Sequence, residues 1–151
     1  ATETEIDEKK FRVDDAVAAT KAALSEGIVT GGGVTLVNMA GKLSDEDAGA
    51  RIVKEALKTP FVHIMENAGL NAQALLAEVE HASKPGMGID VMKPSKGLVD
   101  LKKAGVIDPA KVTKEAVKNA TSIAATAITM GALICEIPEE KPAAPDMSGM
   151  Y

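Results

Sequence analysis

The sequence predicts a mainly α-helical protein: one long connecting helix, a helical bundle and a few short β-strands. Three observations predict it. Apolar residues recur at helical spacing through most of the 151 residues. Aromatics are scarce, with two Phe, one Tyr and no Trp, so the core must be built from Ala, Val, Ile, Leu and Met, which suits closely packed helices. Strands do not alternate with helices at βαβ spacing, and no internal repeat with a period of about 20 to 50 residues is present.

Residues 3–26 read as a helix, with Val13, Val17, Thr20 and Leu24 on one stripe and charged residues filling 3–10. At about 1.5 Å per residue it would run about 36 Å, the length of a strut. Gly27 stops it. Gly31-Gly32-Gly33 open a second helix over 31–42. Gly41 and Ser44-Asp45-Glu46-Asp47 form a break with a loose capping box. A third helix is expected over 45–58, carrying Ala48, Ile52 and Ala56. Pro60 starts a fourth over 60–68, ended by Gly69, and Asn71 caps a fifth.

From Ala82 to Lys96 the chain is punctuated by Pro and Gly and reads as loop, with a short strand around 87–90. A short helix is expected over 98–104. Asp108-Pro109 is a helix-start signal, Asp as N-cap and Pro at N1. The helix from 110 to about 130 carries an apolar stripe broad enough to be buried on most sides. Residues 132–137 read as a strand ended by Pro138. Residues 138–151 lack periodicity and read as a disordered tail.

The composition excludes some functions. Net charge is −5, without a basic run of five, so there is no nucleic-acid footprint. The aromatics are too few for a base-stacking platform. The weakly polar run 122–135 is short of the ~20 residues that span a bilayer. The N-terminus has no signal-peptide core. A lone Cys135 cannot form an internal disulfide and reads as a small buried hydrophobe. A soluble, cytoplasmic protein without nucleic-acid or membrane partners is expected.

Chemistry-bearing residues are few, and each has a bland alternative. Asp15 is an acid on a helix, where a solvated face is the ordinary use. Gly31-Gly32-Gly33 lack the flanking residues of a P-loop or a dinucleotide fingerprint. They suit either close backbone approach to an anion or tight packing. Asp108 suits N-capping, with one carboxylate oxygen left for a hydroxyl. His63, Glu66 and His81 read as solvated or core-edge residues, and no metal site is expected.

Order and spacing add a resemblance. Glu8-Lys-Lys-Phe-Arg-Val-Asp-Asp-Ala16, Glu26-Gly-Ile-Val-Thr-Gly-Gly-Gly33, Gly88-Ile-Asp-Val-Met92 and Ala104-Gly-Val-Ile-Asp-Pro-Ala-Lys-Val-Thr113 resemble, in sequence order, segments of a GroEL-type (group I) chaperonin. The resemblance covers about residues 1–137. It implies a C-terminal fragment: an intermediate-domain helix over 1–26, the C-terminal half of the equatorial domain over 27–137, and a tail over 138–151.

It also implies roles. Asp15 would activate the attacking water. Gly31 and Gly32 would meet the nucleotide through backbone, Asp90, Val91 and Met92 would line the adenine, Val106 would form an apolar wall and Asp108 would bind ribose hydroxyls. The intact subunit would use ATP and Mg, assemble with other subunits into rings, and act with a co-chaperonin on unfolded proteins.

The family's Gly-Asp-Gly-Thr-Thr-type phosphate and magnesium loop is absent here, and so is the apical domain. Residues 93–96 are inserted relative to the family, and the tail is reduced to Met147-Ser-Gly-Met-Tyr151. The fragment alone is therefore expected to bind no ATP or Mg, or ATP only weakly, and to lack ATPase and folding activity. The strand 132–137 would be an open edge inviting another chain. The start without Met favours a piece of a longer protein. Two other readings stay open: a stand-alone helical self-association module derived from a chaperonin, and a small-molecule-binding helical domain closed by residues 31–33, 88–92 and 108.

Overall fold

A computed structural model of the chain describes residues 2–136. The chain divides into two compact units, residues 1–118 and 119–151. The first unit holds α1 (Glu3–Glu26), β1 (Ile28–Thr30), α2 (Val34–Ala40), α3 (Ala48–Asn67), α4 (Ala72–Glu80), β2 (Met87–Ile89), β3 (Leu98–Asp100), β4 (Ile107–Pro109) and the first half of α5 (Ala110–Ile128). The second holds the rest of α5 and an irregular segment up to 136.

α1 starts with a full capping box. The Glu5 N–H donates to Thr2 Oγ1 at 3.3 Å and the Thr2 N–H to Glu5 Oε2 at 2.8 Å. None of its residues is buried. Its apolar stripe stays in the open, with Val13 61% and Leu24 84% exposed. Only its C-terminal end is tied down. Gly27, at φ 82°, accepts a hydrogen bond from the Ala110 N–H at 3.0 Å, and Lys114 pairs with Glu26. That carboxylate raises the Lys114 pKa.

The core lies where α2, α3 and α4 meet the β2–β3 pair. Val34 and Val37 from α2, Phe61 and Met65 from α3, and Leu76 and Val79 from α4 interlock there with Ile89 and Leu101. Spacings of three and four residues place each set on one helical face. α3 runs unbroken through Pro60, where two helices divided at that residue are expected from the sequence. An interior proline costs about 3 kcal/mol. Leu57, Phe61 and Met65 continue one buried stripe across it, and three such side chains return about 1.5–3 kcal/mol each, so the single helix wins. It ends at Gly69, φ 72°, in a Schellman motif: the Gly69 N–H donates to the Glu66 carbonyl and the Leu70 N–H to that of Met65. Asn71 caps α4 as expected, accepting from the Ala74 N–H at 3.2 Å. Lys58 of α3 bridges Glu55 and, on α4, Glu80, each at 2.9 Å.

The two small sheets are antiparallel. β1 pairs with β4 through Ile28–Pro109, Val29–Asp108 and Thr30–Ile107. β2 pairs with β3 through Met87–Asp100, Gly88–Val99 and Ile89–Leu98. β3 replaces the helix expected over 98–104, because pairing carries Leu98 beside the buried Ile89 at the core. Only an isolated turn follows, with the Ala104 N–H bonded to Asp100 O.

The second unit departs from expectation. α5 has no buried residue, and Ile123 and Ile128 are 71% and 81% exposed. Periodicity shows which face is apolar, not whether anything covers it. Residues 132–136 are irregular rather than a strand, and Leu133, Ile134 and Cys135 are exposed. An isolated strand has no ladder to hold it. Residues 138–151, read as a tail, lie outside the described residues. Among the described residues no helix is long and apolar enough to cross a membrane.

Candidate functional site

The β1–β4 register builds the candidate site. It continues one residue further, where the Gly31 N–H donates to Val106 O at 3.0 Å. Gly31 therefore lies opposite Val106, and Val29 opposite Asp108. Alternate residues of a strand share a face, so Gly31, Val106 and Asp108 occupy one side of the ladder. Gly32 joins them, because a Cβ built on it would lie 3.8 Å from Val106 Cγ1.

Each glycine has its own structural cause. Gly31 is buried, and a Cβ there would sit 3.2 Å from the backbone of Val106 and Ile107. Gly33 has φ 75°, and its Cβ would fall 2.8 Å from the Phe61 backbone. These two are fixed by packing. Gly32, at φ 65°, meets only ordinary side-chain contacts, so it is the one free to face a ligand. Both left-handed glycines delay α2, which begins at Val34 rather than within the glycine run. Among the described residues the turn's N–H groups are used at Gly31 and Val34, but not at Gly32 or Gly33. Two unused donors beside an apolar wall suit an anionic group.

Asp108 is not a helix cap, contrary to the sequence reading. Strand pairing claims it, and the helix begins at Ala110, whose N–H goes to Gly27 O. It is partly buried. Hydrogen bonds to aspartate side chains among the described residues involve Asp45, Asp47, Asp90 and Asp100, not Asp108. Its carboxylate is thus left to accept from a hydroxyl.

The 90–92 turn follows β2. Asp90 shapes it, accepting from the Met92 N–H on Oδ1 at 3.0 Å and from the Lys93 N–H on its carbonyl at 2.8 Å. Val91 packs against the core, as Val106 does, whereas Met92 is 83% exposed. A cavity of about 400 Å³ opens beside Asp90, with Lys93, Lys96 and Lys103 on its walls. Of the residues expected from the sequence, only Asp90 lines it. Lys103 carried no motif to draw notice.

Asp15 stands apart in position along the chain. It is exposed on α1, about 18 Å along the helix axis from Gly27. His63 Nδ1 lies 3.3 Å from Glu66 Oε2, with both side chains exposed, and His81 is the C-cap of α4. Among the described residues no three His, Cys, Asp or Glu side chains gather as a metal site would need. Among the described residues, two backbone N–H groups, an apolar side chain and a carboxylate thus meet on one face, an arrangement able to take an anionic group and a hydroxyl.

Comparison with known proteins places the chain in a family. The model of the TCP-1/cpn60 chaperonin family matches residues 1–138. The structure is similar to the crystal structure of a group III chaperonin in the open state, with a TM-score of 0.77 and 29% identity, over 89% of this chain and 29% of that one. The chain thus spans under a third of that chaperonin's length. That relative is group III, whereas the sequence motifs resemble group I. What the two share is the family: the chain belongs to the TCP-1/cpn60 chaperonins.

Proposed function

We propose that this chain is the C-terminal portion of a GroEL-type (group I) chaperonin subunit. It would comprise the end of the intermediate domain over 1–26 and the C-terminal half of the equatorial domain over 27–137. In the ring, it would supply the base- and ribose-facing half of an ATP site that drives the folding of other proteins. The observation that carries this reading is the single face holding Gly32, Val106 and Asp108, with two backbone N–H groups and a carboxylate that are unbonded among the described residues.

In this reading Gly31 and Gly32 let the nucleotide approach the backbone. Val106 walls the base, Asp90, Val91 and Met92 line the adenine, and Asp108 accepts from the ribose hydroxyls. Asp15 orients and deprotonates the attacking water. Bound magnesium would neutralise the phosphate charge, held by residues outside this chain. Phosphoryl transfer depends on positioning and electrostatics, so half a site should not turn over. A co-chaperonin, folding substrates and a cytoplasmic setting follow from the same reading. A requirement for a separate co-chaperonin would support the group I assignment over group III.

The test is ATP turnover by the intact subunit carrying Asp15→Asn. Turnover should fall at least a hundredfold, the order of a positioned acid–base group, with ATP binding retained. Unchanged turnover would remove Asp15 from the role. The isolated chain should hydrolyse no ATP, and turnover by it at an intact chaperonin's rate would overturn the half-site reading.

A self-association module is the alternative, favoured by the exposed apolar stripes on α1 and α5. Concentration-dependent sedimentation by the chain, with no nucleotide binding in any longer form, would favour it.

A further inference from the structure

Leu101 is fully buried, yet it belongs to no motif. Its Cδ1 would lie 3.6 Å from a Cβ on Gly32 and 2.7 Å from one on Gly88. The side chain therefore sits between the glycine turn and β2, the strand that leads into the 90–92 turn. Its backbone reaches the same neighbours: the Leu101 N–H donates to Gly86 O at 3.2 Å, and its carbonyl accepts from the Val106 N–H at 2.9 Å. One residue thus touches the turn that would face phosphate, the strand that carries the adenine loop, and the apolar wall between them. Gly88 has to be glycine for this contact, because a Cβ there would also fall 2.6 Å from Val34 Cγ2.

We propose that Leu101 is a positioning residue. Clamped between Gly32 and Gly88, it fixes the separation of the glycine turn from the 90–92 loop, so that base and phosphates of one nucleotide are met together. The inference rests on the nucleotide-site reading above and adds a specificity-determining residue to it. A shift of about 1 Å between two binding elements is enough to cost a large factor in productive geometry. Truncating Leu101 should therefore weaken discrimination between ATP and a bare polyphosphate more than it weakens polyphosphate binding itself.

The experiment compares ATP with inorganic tripolyphosphate as ligands of the intact subunit. The variants are Leu101→Ala, Leu101→Met and Met65→Ala. Met65 is equally buried but is not among the atoms that meet Gly32 or Gly88, so it reports general loosening of the core. Leu101→Ala should lower the ATP-to-tripolyphosphate affinity ratio about tenfold. Leu101→Met, similar in volume, should restore the ratio, and Met65→Ala should leave it unchanged despite a lower Tm. If Leu101→Ala fails to fold, Leu101→Val should give a smaller loss of the same ratio. A ratio altered no more by Leu101→Ala than by Met65→Ala would overturn the proposal.

Amide exchange in the chain itself reads the clamp without nucleotide. Leu101→Ala should speed exchange both at Gly31, whose N–H is bonded to Val106 O, and within Met87–Ile89, and Met65→Ala at neither. Loss at only one segment would contradict a clamp. An intact subunit whose ATP binding ignores Asp108→Ala, with the exchange result as expected, would instead sink the nucleotide reading.

Discussion

The α2–α4 core and the two long helices α1 and α5 are built from similar apolar material, yet they end in opposite states. Phe61 and Met65 have no exposed surface, while Phe11 and Leu24 of α1 are 74% and 84% exposed. The core helices α2, α3 and α4 close on one another. α1 has no buried residue, and neither has α5. The contrast separates what this chain stabilises by itself from what it presents outward. In the subunit proposed above, the outward faces are where other segments would pack.

Phe61→Ala is the sharpest way to break that comparison. It should destabilise the chain by about 3–5 kcal/mol, whereas Phe11→Ala should stay within about 0.5 kcal/mol. Denaturant midpoints measure both. A large effect at Phe11 would mean that α1 is covered in solution.

Gly33→Ala comes next. A Cβ there would meet the Phe61 backbone at 2.8 Å, at φ 75°, so α2 would have to move off α3. A loss of about 1–3 kcal/mol is expected. Gly27→Ala carries a similar positive φ but meets nothing within 4 Å. At φ 82° and ψ −168°, a region that glycine alone readily adopts, it should cost the backbone penalty alone, about 1–3 kcal/mol, and leave the core's amide exchange untouched.

Lys58 offers the finest test. Its side chain is largely covered, and Glu55 first, then Glu80, hold its pKa above the ordinary lysine value. A raised folded-state pKa means that the pair's stabilisation is complete below about pH 10.4, the unfolded value, and is lost as pH rises through the higher folded value. Lys58→Met should cost about 0.2–1 kcal/mol at neutral pH, and its stability should converge on that of the wild type in strong alkali. A constant difference across that range would remove the charge pairing from the account. Asp45 behaves with the opposite sign. Lys54 lowers its pKa, so its contribution holds above about pH 3.9 and fades as acid carries the pH through the folded value.

Much of this was legible in the sequence where a local rule governs. Gly27 ends α1, and Asn71 caps α4, because caps act within a few residues. Pro60 misled, since its local cost is outweighed by a stripe that only tertiary packing rewards. Ile107–Pro109 is a strand because its partner, Ile28–Thr30, lies far back along the chain, which no window of sequence contains, and Leu98–Asp100 is one because it closes a hairpin with Met87–Ile89 over the core. Asp108 shows both sides. Asp-Pro signalled a helix start one residue early, and the strand register that aligns the carboxylate with Gly31 and Val106 is non-local. Leu101 was invisible, as a buried leucine without a motif has no signature until its neighbours are placed.

The central claim is that Asp108 belongs to a nucleotide-facing surface. Calorimetric titration of ATP with magnesium into the intact subunit, wild type against Asp108→Ala, tests it most directly. A charged hydrogen bond is worth about 1.5–3 kcal/mol, so the account predicts ATP affinity at least about tenfold weaker in Asp108→Ala, with the fold intact. Equal affinity in the two proteins would contradict it.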